Sequence, residues 1–110
     1  MSILVATDLA DATLPAVHMA ALFAKARGTE LRLLHVVDFT GDDNAWRVLY
    51  ETTGEIQDHA TQEATAGLVA HYKKAVPSEY QTTFSSVVRF GRPAEGVLAE
   101  AQKSAPAMIV

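Results

Sequence analysis

The chain has no cysteine, which excludes disulfides and thiolate metal sites from the start. Its six glycines stand singly, at positions 28, 41, 54, 67, 91 and 96, and nowhere gather into a turn that could cradle phosphates. Neither G-x-x-x-x-G-K-S/T nor G-x-G-x-x-G occurs. No apolar run approaches membrane-spanning length, and no basic leader with a long apolar stretch opens the chain, so the cytoplasm is the expected compartment. Positive charge is scarce: 9 Lys and Arg stand against 13 Asp and Glu. Neither nucleic acid nor an anionic membrane is expected as a partner.

What is present is a core-forming sequence. With 110 residues, 49% of them hydrophobic, residues 1–110 form one domain with a two- or three-layer core. The organising segment is Ser2-Ile3-Leu4-Val5-Ala6-Thr7. Its unbroken apolar run suits a strand covered on both faces. Asp8 then falls at the carboxyl end of that strand, where open α/β sheets bind their ligands.

Asp11 reads as the cap of a helix filled by Leu14 to Ala24 and stopped at Gly28. That helix is apolar almost all round, with only His18 and Lys25 sharing a polar side, so it is expected to be covered on most sides. Glu30 to Val37 reads as a second strand ending at Asp38, and Phe39 to Gly54 as a loop. A long helix from Glu55 to Ala75 carries Ile56, Ala60, Ala64, Leu68 and Tyr72 in one row, and Pro77 ends it. Gly67 is a flaw in it worth about 1 kcal/mol against Ala. Thr82 to Phe90 is a third strand, and Gly91-Arg92-Pro93 a turn with Pro93 at a first helical position. The last helix, Ala94 to Lys103, is expected to bury Val97, Leu98 and Ala101. Ala107 to Val110 starts a fourth strand. Such alternation implies a parallel sheet with right-handed crossovers and helices on both faces, a three-layer α/β/α sandwich.

Chemistry-bearing residues are few. Asp8 is the leading ligand contact, and Asp38 a solvated acid. His35, inside a buried strand, reads as a core histidine with a satisfied ring. His59 and His71, twelve apart on one helix, cannot make an i, i+4 metal pair, and Asp38, Asp42 and Asp43 lack calcium-loop spacing. Trp46 and Tyr50 read as core, with an exposed partner surface or a lid as the alternative, and Arg92 as a surface charge that can also reach a phosphate. No nucleophile elbow or split pair of acids supports catalysis.

Taken together, Ile3-Leu4-Val5-Ala6-Thr7-Asp8 with Leu9-Ala10-Asp11, Leu33-Leu34-His35-Val36-Val37, Val88 with Gly91-Arg92-Pro93, and Ala107-Met108-Ile109-Val110 resemble a universal stress protein domain. The resemblance implies a Rossmann-like fold with strand order 3-2-1-4-5 and a cleft between strands 1 and 4. It implies ATP or a related adenine nucleotide as a ligand, with magnesium carried on the phosphates. Asp8 would then be the carboxylate on the adenine or ribose side. Ala6 and Thr7 would line the adenine pocket, and Val36 would wall it. The family's phosphate loop, G-x2-G-x9-G-S/T, and its fifth strand, often used for homodimer pairing, would follow Val110. The chain is therefore expected to be a portion of a longer polypeptide, cut at the fourth strand with order 3-2-1-4. The expected function is stress-response regulation through binding and homodimerisation, with slow ATPase activity only if the glycine loop exists. A dimerising interaction module that binds no nucleotide is the alternative. An adenylating enzyme of the same superfamily is weaker, because Asp8-Leu9-Ala10-Asp11 has no glycine.

Overall fold

The structure is a computed structural model that describes residues 2–37, 54–106 and 108–110, the side chains of 54–60 excepted. Four parallel strands, β1 (Ser2–Ala6), β2 (Glu30–Val37), β3 (Phe84–Phe90) and β4 (Met108–Ile109), lie in the order β3-β2-β1-β4. The organising strand is therefore interior, and Ser2, Ile3, Leu4 and Val5 are all buried. Among the described residues, three α-helices, α1 (Leu14–Arg27), α2 (Gly54–Ala75) and α3 (Pro93–Ser104), make the crossovers.

Alternation along the strands decides which residues meet which helices. Ile3, Val5, Leu31 and Leu33 share one cluster with Val17, Ala20, Ala21 and Ala24 of α1 and Leu68, Tyr72 and Val76 in and just after α2. Alanines at three of the four buried α1 positions let that helix lie close on the sheet. On the opposite face α3 approaches so tightly that a Cβ on Gly96 would lie 2.6 Å from Val36 Cγ2. Helix ends follow their sequence signals: Gly28 caps α1 at φ 64°, and Pro93 opens α3.

Four expectations change. Asp11 does not cap α1; it starts a 3₁₀ turn (Asp11–Thr13), and its carboxylate pairs with Lys74 at 2.9 Å. The flaw at Gly67 is a contact: the Leu9 side chain packs there, 3.1 Å from where a Cβ would be, with Leu9 itself held at φ 67°. Helix α1 is not covered on most sides. Only its Val17-Ala20-Ala21-Ala24 face meets the sheet, and Met19, Leu22 and Phe23 are exposed. In α3 the phase is turned from the apolar reading, leaving Leu98 62% exposed and Glu100 1% exposed. Glu100 is drawn inward by two guanidiniums, Arg32 of β2 at 3.3 Å and Arg89 of β3 at 2.9 Å.

Candidate functional site

Where β1 ends, the chain must leave the sheet before turning into α1, and short polar side chains shape the exit. The Leu9 amide donates to Thr7 Oγ1 and the Ala10 amide to Asp8 Oδ1, each at 2.9 Å. Such local bonds hold a tight turn and fix where Asp8 stands. Beside this turn lies a cleft of about 160 Å³ lined by Ala6, Thr7, Asp8, Val36, Pro93 and Val97. The four residues singled out from sequence, Ala6, Thr7, Asp8 and Val36, thus come together in one depression. Among the described residues, Pro93 and Val97, one turn apart on α3, add to its apolar wall, and β4 contributes no lining residue.

The four do not offer the same chemistry. Asp8 is exposed, and its second carboxylate oxygen has no partner among the described residues. Thr7 is committed elsewhere. Its amide donates to the Leu34 carbonyl at 2.9 Å, and its own carbonyl accepts from His35 Nδ1 at 2.9 Å. This is the satisfied ring expected of His35. The Thr7 hydroxyl lies 2.6 Å from the Thr13 hydroxyl and 3.2 Å from His71 Nε2, and His71 Nε2 lies 3.0 Å from Thr13 Oγ1.

Proton counting orders this buried network. The Thr13 hydroxyl donates to the Ala10 carbonyl at 2.8 Å. The Thr7 proton must then fill the short gap to Thr13, so His71 Nε2 carries a hydrogen and donates. His71, only 7% exposed, is therefore a structural tie between β1, the 3₁₀ turn and α2. Sequence reading considered it only as a metal candidate. No group of three or more metal-ligating side chains occurs among the described residues.

A larger cleft, about 470 Å³, runs along the end of β3 and the start of α3 and includes Arg89, Arg92 and Glu95. Size alone would favour it, yet its chemistry does not. Arg89 is tied to buried Glu100, and an acid, Glu95, lines the cleft along with Arg92. Arg92 faces this cleft and is absent from the lining of the smaller one. Asp38, Asp42, Asp43, Trp46, Tyr50 and the side chain of His59 lie outside the described residues.

Solved structures with this architecture include the hypothetical protein MJ0577, at 21% identity and a TM-score of 0.73, with 99% of this chain and 72% of that one covered. A universal stress protein from Archaeoglobus fulgidus follows at 20% identity and a TM-score of 0.66, covering 100% and 74%. A universal stress protein in complex with cAMP matches at 19% identity and a TM-score of 0.62, covering 99% and 69%. At these identities the likeness speaks for the fold. Comparison with curated proteins finds no significant match. The family model described as the universal stress protein family matches residues 1–110, and the chain belongs to that family.

Proposed function

We propose that the chain acts by binding an adenine nucleotide, ATP or a relative of it, as a ligand rather than a substrate. The observation that carries this reading is the cleft itself: Ala6, Thr7, Asp8 and Val36 surround one apolar slot with a free carboxylate oxygen at its mouth. It lies at the carboxyl ends of β1 and β2, the rim on which parallel α/β sheets hold ligands. A fold relative in complex with cAMP supports the choice of an adenine ring. The slot is smaller than the roughly 300 Å³ at which small-molecule pockets begin, so it suits a base and part of a ribose. Asp8 would accept from ribose hydroxyls, while Val36, Pro93 and Val97 would cover the base. The loop after β1 offers little to phosphates, because the Leu9 and Ala10 amides are already donated to Thr7 and Asp8. Any magnesium would ride on the nucleotide's phosphates. We place the protein in the cytoplasm, working as a homodimer without turnover. Titration calorimetry tests the nucleotide reading. Asp8→Ala should weaken adenosine and ATP binding about tenfold or more, the worth of one hydrogen bond to a charged group. The circular dichroism spectrum should be unchanged. Equal affinity in wild type and variant removes Asp8 from the site, and ATP binding far tighter than adenosine relocates the phosphates.

The second reading, an interaction module that binds no nucleotide, draws support from the exposed apolar side of α1.

A further inference from the structure

Helix α1 has a second apolar face, which stays exposed among the described residues. Its buried side is Val17, Ala20, Ala21 and Ala24. Diametrically opposite, at helical spacing, run Pro15, Met19, Leu22, Phe23 and Ala26, all exposed, with Met19 at 55%. Unbroken apolar stripes of this kind on a folded surface mark contact sites. The charges beside the stripe say what the contact is. Asp11, at the amino end, reaches Lys74 of α2, and Lys25, near the carboxyl end, reaches the Glu79 carbonyl and the Tyr80 ring just beyond α2. Both therefore lie on the flank of α1 turned toward α2, acid at one end and base at the other.

We propose that this stripe is a homodimer contact in which α1 packs antiparallel on α1 of a second copy. Across a two-fold axis, residues on the same flank of antiparallel helices face each other with their order reversed. Asp11 of one copy then faces Lys25 of the other, and the same pair recurs at the far end. Pairing Asp11 with Lys25 puts the axis at His18, one residue from Met19, the most exposed of the stripe's three large side chains. Parallel packing would carry the two flanks to opposite sides of the contact, leaving Asp11 and Lys25 facing neither each other nor their own counterparts. Asp11 keeps 79% of its side chain exposed despite its bond to Lys74, so it is open to a second cation. The contact is small and its association weak, at the low end of specific interfaces. It rests on the association reading above and not on the nucleotide.

The absence of cysteine makes the test clean. Met19→Cys, mildly oxidised without nucleotide, should give a covalent dimer. Gln102→Cys, on the outer side of α3, should give only the background of random collision. In sedimentation equilibrium, Leu22→Glu should raise the dissociation constant at least tenfold with its circular dichroism spectrum unchanged. Asp11→Lys should also weaken the dimer, and Asp11→Lys with Lys25→Asp should restore it. A wild-type chain that stays monomeric at all concentrations overturns the proposal. So does a dimer indifferent to Leu22→Glu, or a charge swap that fails to restore association. Adenosine binding by the Leu22→Glu monomer is measured separately, so loss of one reading leaves the other standing.

Discussion

Gly96 of α3 rests directly on Val36 of β2: a methyl group added to the glycine would lie 2.6 Å from Cγ2 and 3.1 Å from Cγ1. Both obstructing atoms belong to a β-branched side chain whose rotamer is fixed by its backbone, so neither can swing clear. The contact sets the distance of α3 from the sheet and, with it, the width of the cleft that Val36 lines.

Gly96→Ala should therefore destabilise the protein, although Ala is the better helix former. Overpacking of this kind costs about 1–3 kcal/mol, against a gain of about 1 kcal/mol in helix propensity. Urea unfolding should show a net loss of up to about 2 kcal/mol. In a double-mutant cycle, Val36→Ala should cost less in the Gly96→Ala background than alone, because the two changes share the same space.

Glu100 offers a second test. Its carboxylate is buried between Arg32 and Arg89, and Arg32 Nε has no hydrogen-bond partner among the described residues. Glu100→Ala leaves two guanidiniums facing each other across a cavity, and should cost about 3 kcal/mol in chemical denaturation, as broken buried ion pairs do. Each arginine is more than a quarter exposed and can regain water, so the loss should not exceed the lower end of that class. Arg89→Met should cost less, because Arg32 still covers one oxygen.

These residues also mark where the sequence stopped being readable. The strands and helices were legible because burial on both faces leaves continuous apolar runs such as Ile3 to Ala6, and because Gly28 and Pro93 punctuate the chain. The place of Asp8 beside a cleft was legible because it closes an apolar strand, and strand ends form the rim of open α/β sheets. The order of the strands came from the family resemblance. Glu100 was hidden by its own chemistry, since apolar patterning assigns a glutamate outward. The two arginines that draw it in lie far apart in sequence, so no local spacing announces them. Pro93 and Val97 were read as a helix start and a core residue. That they wall the cleft depends on where α3 lies on β2, which the Gly96–Val36 contact decides. The reach of Asp11 to Lys74 rather than to its own helix, across 63 positions, is of the same kind.

The Thr7, Thr13 and His71 network should behave as one unit. Thr7→Val removes the acceptor of the Leu9 amide and the donor to Thr13, while keeping the shape of the strand end. It should cost about 1–3 kcal/mol, the range for leaving buried polar partners unsatisfied. The same loss should appear, and not simply add, when His71→Phe is combined with it. Nitrogen-detected NMR of neutral His71 should show the hydrogen on Nε2. His35, whose Nδ1 donates to the Thr7 carbonyl, should show the opposite tautomer.

Asp11 and Lys74 give the pH dependence. The hydrogen bond from Lys74, helped by its charge, holds the Asp11 carboxyl below its ordinary value of 3.8. Desolvation opposes this weakly and the charge of His71 adds a little to it. A carboxyl lowered in the folded state binds its proton more readily when unfolded. Its contribution to stability is therefore present above about pH 4 and disappears as the pH falls through the folded value. Both side chains are well exposed, so the contribution is small and should shrink further in salt. Carbon-detected titration of Asp11 should place its midpoint below 3.8 in the wild type, and Lys74→Met should bring it back toward that value. A midpoint that does not move in Lys74→Met would show that the pair does not form in solution.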